Sequence, residues 1–296
     1  MKLIKGLGLL SFLVVLSGSC FDPPEFPVVP QIEFDRLEFK PAPTPQDFDS
    51  LLLYITFRDG DGDLGLEANN FLHISDPYHI NTYYQENNGQ LTPLSTSSGT
   101  IQGIQYDLLE IPEPQRGPLV TFQTRKKPGY SSLPQEFHCA DYLYLAGPAV
   151  PGQGGNDGTR LLIHADDVAV LTPEMAVVDT FYAPETGRAV YYQIRDTLYF
   201  TPNPYHNNIE VDFLVKEGGE YHEYDWSQLC GPTYDQRFPV LSDPGNSVEG
   251  TLRYAITSFG LRATFSIKPL KLRIKIRDRA LNESNVVETH EFTLIQ

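Results

Sequence analysis

The sequence predicts an all-β fold, mainly antiparallel, built as a Greek-key β-sandwich. Three observations predict it. Apolar and polar residues alternate with a period of two over residues 209–215 and 270–277, the pattern of strands with one buried face. Residues 51–57 form an apolar, β-branched and aromatic run that stops at Asp59-Gly60-Asp61-Gly62, a turn signal. With 24 Pro and 23 Gly in 296 residues, there is little room for long helices.

In chain order, the first element is a leader. Residues 1–19 carry Lys2 and Lys5, an apolar stretch from Leu7 to Leu16, and Ser17-Gly18-Ser19 before Cys20. This is the layout of a secretory signal peptide. Fourteen residues separate Lys5 from Cys20, short of the roughly twenty that a membrane span needs. A Cys directly after such a stretch resembles a bacterial lipobox. The resemblance implies that Cys20 is acylated and that the mature chain is held to a membrane by its N-terminal lipid. Several acyl chains, at about 0.8 kcal/mol per buried CH₂, anchor stably where one would not. Pro23, Pro24 and Pro27 make residues 20–31 an extended tether.

Strands are expected at 51–57, 191–200, 209–215, 250–257 and 270–277, with a return strand over 286–294. Loops rich in Gly, Ser, Asn and Pro are expected near 86–103, 112–118, 126–135, 151–158 and 242–247. Thr172-Pro173-Glu174 reads as the cap of one short helix, with Pro at its first position. The run from Leu272 to Leu294 resembles the last hairpin of bacterial immunoglobulin-like domains, and the segment from Ile32 to Gly65 resembles the opening strands of a similar unit. The architecture expected is therefore an immunoglobulin-like β-sandwich in two packed units with long loops. A sandwich-like domain with loop insertions would cover 32–187 and an immunoglobulin-like domain 188–296, with a single interwoven body as the alternative.

Together with the leader and tether, the segments ITFRDGDGDLGL (55–66), NPYHNNIEVDFLVKEGGEY (203–221), RFPVLS (237–242) and IRDRALNESNVVETHEFTL (276–294) are similar to a group of uncharacterised lipoproteins from Bacteroidota. The resemblance implies export and lipidation, and the expected address is the outer membrane of the cell envelope, on either its periplasmic or its surface face. It brings no catalytic residues.

Charge narrows the function classes. Lys and Arg number 22 against 38 Asp and Glu, a net charge of −16. Nucleic acid is not an expected partner, because phosphate contacts need a positive footprint. Basic residues gather instead in the segment 252–280. Lys271, Arg273, Lys275 and Arg277 share one strand face there. Glu210 and Asp212 alternate in the same way on another strand, so the two are expected side by side in one sheet. Cys139 and Cys230 remain as an even pair once Cys20 is lipidated, and an exported chain is expected to join them in a disulfide.

No hydrolase signature is present: G-x-S-x-G, H-E-x-x-H, S-x-x-K and C-x-x-C are all missing. The chain is expected not to be an enzyme but a binding or structural protein of the envelope. A surface glycan- or nutrient-binding role is the alternative, and a secreted hydrolase stands third. His164, Asp166 and Asp167 come after an apolar run and read as a strand end with a turn. His206 and Glu210 lie on a loop leading into a strand, where helical spacing does not apply. His222-Glu223 reads as a solvated edge. Tyr221, Tyr224 and Trp226 are the best local aromatic cluster for stacking a sugar, set against ordinary core packing.

The turn after residues 51–57 carries the most specific signal. Gly60-Asp61-Gly62-Asp63-Leu64-Gly65 is a literal G-x-G-x-x-G. Asp59, Asp61 and Asp63 would set negative charge beside a pyrophosphate, and the segment after Gly65 is too short for a crossover helix. The same carboxylates suit a hard cation, Ca²⁺, at the spacing of the first three ligands of an EF-hand loop. Leu64 and Asn70 depart from that loop, where Gly and Glu are required. A calcium site in the end loop of a sandwich remains. Asp278, Asn282 or Asn285 would add oxygens if the two ends of the chain belong to one sandwich.

Overall fold

The computed structural model describes residues 26–44, 47–87, 89–101, 104–112, 117–124, 142–145, 160–173, 175–182, 190–226, 233–258 and 261–294. Cys20, Cys139, Cys230, the leader and residues 20–25 of the tether lie outside them. No helix among the described residues is long and apolar enough to cross a membrane.

The chain is all-β with mainly antiparallel sheets. It opens with β1 (Gln31–Lys40) and β2 (Asp49–Asp59). Nine strands come next: β3 (Asn81–Asn87), β4 (Gln90–Leu94), β5 (Thr96–Ile101), β6 (Ile104–Leu109), β7 (Tyr142–Tyr144), β8 (Leu161–His164), β9 (Ala176–Tyr182), β10 (Val190–Arg195) and β11 (Thr197–Pro202). The last part holds β12 (Ile209–Glu217), β13 (Glu220–Glu223), β14 (Val248–Ser258), the short helix α1 (Leu261–Phe265), β15 (Leu270–Ile276) and β16 (Val287–Glu288).

Two sheets form a sandwich from the two ends of the chain. One has the order β1-β2-β14 and the other β13-β12-β15-β16. Strand β2 is central, so its apolar run is buried almost throughout, with Leu51, Leu53 and Ile55 fully enclosed. Strands β12 and β15 each bury one face. Val211, Phe213, Leu272 and Ile274 meet the β2 residues in a single core. Phe265 of α1 stacks on Phe213 with ring centroids 5.2 Å apart.

The expected division at 187/188 does not survive. Strand β14 runs antiparallel along all of β2, from Val248 opposite Asp59 to Ser258 opposite Asp49. Strands from both sides of that boundary therefore share a sheet. The residues between β2 and β12 form an inserted region with sheets β5-β6-β8-β10-β9 and β4-β3-β11-β7. It has its own core, which includes Tyr83, Leu119, Ile163 and Leu198. Among the described residues, its one parallel pairing joins β6 to β8.

Three local expectations also change. The loop expected over 86–103 contains β4 and β5, because the polar Thr, Ser and Gly residues of β5 are held by pairing with β6. Thr172 starts a turn closed by Met175 N–H to its carbonyl at 3.0 Å, not a helix. Of the return strand over 286–294, only Val287–Glu288 and an isolated bridge from Phe292 to Leu270 are paired.

The basic strand is matched as expected. Glu210 stands opposite Lys275, and Asp212 opposite Arg273. Arg273 lies 2.8 Å from Asp212, and Lys275 lies 3.0 Å from Glu210. Arg277, largely buried, reaches Glu210 at 2.9 Å and Glu283 at 2.6 Å.

Candidate metal centre

Strand β2 ends at Asp59, and the chain turns through Asp-Gly-Asp-Gly-Asp at one pole of the sandwich. Gly62 has φ of +67°, and a Cβ there would sit 2.0 Å from the Asn246 carbonyl oxygen. Only glycine fits both the left-handed backbone and the close approach. The turn delivers Leu64 to a bridge with Asp278, just beyond the end of β15. Main-chain bonds fix the contact: Arg279 N–H donates to the Asp63 carbonyl at 3.1 Å, and Ala280 N–H to Asp63 Oδ2 at 3.0 Å.

Carboxylates from β2, the turn and the end of β15 thus converge. Ligand oxygens of Asp59, Asp63 and Asp278 lie within 4.8 Å of one another. Asp59 and Asp278 are buried, and Asp63 is partly so. Donors hold one oxygen of two side chains and leave the other bare. Asp59 Oδ2 accepts from Asp63 N–H at 3.1 Å, and Asp63 Oδ2 accepts from Ala280 N–H. Asp59 Oδ1, Asp63 Oδ1 and also Asp61 Oδ1 are buried with no hydrogen-bond donor. Asp278 is held at both oxygens by Asn282, through its main-chain N–H at 2.7 Å and its side-chain amide at 2.8 Å.

Burial, and then the neighbouring carboxylates, push Asp59 and Asp63 up to about 6. Asp278 is raised in the same direction, by burial first. Arg279 is close by, but its guanidinium donates to the carbonyls of Leu64 and Gly65, each at 3.1 Å. Oxygens spread over no more than 4.8 Å fit around one ion at the roughly 2.3–2.6 Å of Ca²⁺–oxygen bonds. With oxygen donors only, the set suits a hard cation, not zinc or copper. Asn282 holds Asp278 in place and would stand behind it if the set took an ion.

Asp59 and Asp63 were legible from spacing, whereas Asp61, expected with them, is not among the residues whose carboxylate oxygens come within 4.8 Å of one another. Asp278 was conditional on the two chain ends meeting, and they do. Asn285 does not join the cluster: its side chain brackets Ile32, accepting from N–H and donating to C=O, each at 2.8 Å. Asn70, at the twelfth position of the loop, instead caps a 3-10 turn by accepting from Leu72 N–H at 3.0 Å.

The other candidates have structural partners. Tyr224 and Trp226 pack into the sandwich core with Phe213, Tyr234 and Phe265. Both are partly buried there. Tyr221 donates to Glu291 at 2.6 Å. His164 ends β8 and accepts from Asp166 N–H at 3.2 Å, a strand end with a turn as expected. His206 sits against Arg237 and the Tyr78 carbonyl, apart from any role with Glu210. Glu223 pairs with Arg273.

A cleft of about 480 Å³ opens on the inserted sheet beside Phe71, Ser97, Ile101 and Glu110. Its Tyr106 and Tyr191 are only 4% and 2% exposed, so Phe71 alone offers an open ring face. In comparisons with known proteins, the chain matches no family model, no curated protein and no solved structure.

Proposed function

We propose that this chain is an exported, lipid-anchored cell-envelope protein with a non-catalytic binding or assembly role. Its sandwich would hold a calcium ion at the pole where the inserted region leaves it. The observation that carries the site is the convergence of Asp59, Asp63 and Asp278 with buried carboxylate oxygens that have no donor. A site built from a turn and a strand end is of the kind that extracellular modules use at about 10⁻⁴–10⁻³ M Ca²⁺.

The address rests on the leader ending at Cys20 and on the similarity to Bacteroidota lipoproteins, which together favour the outer membrane. The strand order β1-β2-β14 facing β13-β12-β15-β16 supports an immunoglobulin-like reading of the sandwich. On that reading, the inserted region occupies the connection between the second and third strands. It is then the part presented to an envelope protein or a glycan.

The test is a thermal melt of the purified lipoprotein in detergent, after chelation and with Ca²⁺ restored. At about 100 times Kd, Ca²⁺ stabilises by about 2.7 kcal/mol, and the midpoint should rise by about 5–10 °C. A midpoint that ignores Ca²⁺, or moves equally in Asp61→Asn/Asp63→Asn, refutes the site.

A further inference from the structure

We infer that ion binding at the Asp59–Asp63–Asp278 cluster sets the attachment of the inserted region to the sandwich, so that their joint is calcium-dependent. The inference rests on the calcium reading above. The cluster is more than a group of acids: Asp59 is fully buried, its Oδ1 has no hydrogen-bond donor, and one of its carboxylate oxygens lies within 4.8 Å of those of Asp63 and Asp278.

The loop that supplies Asp61 and Asp63 is also the chain's way out of the sandwich. A few residues on, the segment 73–79 is where the inserted region is gripped. Tyr78, buried, donates its hydroxyl to the carbonyl of Arg279, the residue after Asp278. The Arg279 guanidinium in turn holds the carbonyls of Leu64 and Gly65. One residue therefore joins a proposed ligand, the loop and the inserted region.

The same segment is gripped from the other side. Arg237, on the loop before β14, donates to the carbonyls of His73 at 2.6 Å, Tyr78 at 2.7 Å and His206 at 2.5 Å. Asn203, on the returning chain, donates to the carbonyls of Pro77 and His79, each at 2.7 Å. All these bonds are to main chain, so they fix the path of 73–79 rather than one side chain.

Without an ion, the carboxylates repel at short range in a buried site. They relieve that by separating or by taking up protons. Separation moves Asp278 and, through the next peptide, the Arg279 carbonyl that Tyr78 holds. An ion drawing the carboxylates together restores the grip.

Hydrogen exchange of the full lipoprotein, with Ca²⁺ as the only added metal, tests this. Ca²⁺ should slow exchange about tenfold or more in 59–66 and 277–283, and also in 73–79 and 203–206. Tyr78→Phe removes one hydroxyl and should abolish the second effect while leaving the first and the thermal shift intact. Protection confined to 59–66 and 277–283 in the unsubstituted protein overturns the joint and leaves the calcium site standing. Equal protection of 73–79 in Tyr78→Phe also overturns the proposed route. No protection and no thermal shift remove both.

Discussion

At the scale of single residues, the carboxylates at the pole carry a sign that can be checked. In the metal-free protein, burial and then neighbouring charge hold Asp59 and Asp63 near 6, well above the ordinary 3.8. The folded state then binds more protons than the unfolded chain in the window between those values. The stability these groups contribute is greatest below about pH 4 and is lost as pH rises through about 6. Calcium takes the deprotonated form, so it acts oppositely. The calcium-induced rise in melting midpoint should be full near pH 7.5 and nearly gone near pH 5. Asp63→Asn should lose the calcium response and yet raise the metal-free midpoint at pH 7.5, because it removes one of several crowded charges. Melts across pH with and without Ca²⁺ read both effects. An undiminished calcium shift at pH 5 would assign the ion to other ligands. Spacing pointed to Asp59, Asp61 and Asp63 because D-x-D-x-D is local. Asn282 and Arg279 were less visible as supporting groups, since their roles depend on what lies across the bridge between Leu64 and Asp278.

At the scale of elements, the alternation in β12 and β15 was enough to assign both faces. Side chains of one parity share a face whatever the partner strand. The charged faces also foretold the pairing, which the register Glu210–Lys275 and Asp212–Arg273 realises. These pairs are partly exposed, and each contributes about 0–1 kcal/mol. Asp212→Asn should therefore lower stability by no more than about 1 kcal/mol, while Phe213→Ala, on the opposite face, should cost about 3–5 kcal/mol. Urea unfolding of the two variants measures the contrast, and comparable losses would mean the ion-pair face matters more to stability than the core. Strand β5 escaped sequence reading because TSSGTI has no apolar period, and pairing with β6 is what makes it a strand. The short helix α1 was missed for a related reason: Leu261 and Phe265 are fully buried, and their packing, not local propensity, holds five residues helical.

For the whole molecule, the address and the architecture separate cleanly. The proposed lipidation of Cys20 predicts that Cys20→Ala moves the protein out of the membrane fraction. A variant that still sediments with membranes after a high-salt wash would contradict the anchor. The all-β class, the strand faces, the acidic balance and the D-x-D-x-D turn were determined by the sequence alone. Each is a property of composition or of a few neighbouring residues. Only the tertiary structure decided that β14 closes on β2, that the middle of the chain is an insertion, and that Asp278 completes the carboxylate cluster. These depend on which apolar faces can be buried together. The entropy of closing a long loop grows only with the logarithm of its length, so chain distance hardly constrains the choice. Burial in the shared core of β2, β12, β14 and β15 makes the choice instead. The joint held by Arg237, Arg279 and Tyr78 belongs to the same category, because its bonds are to main-chain carbonyls and leave no pattern in the residues they hold.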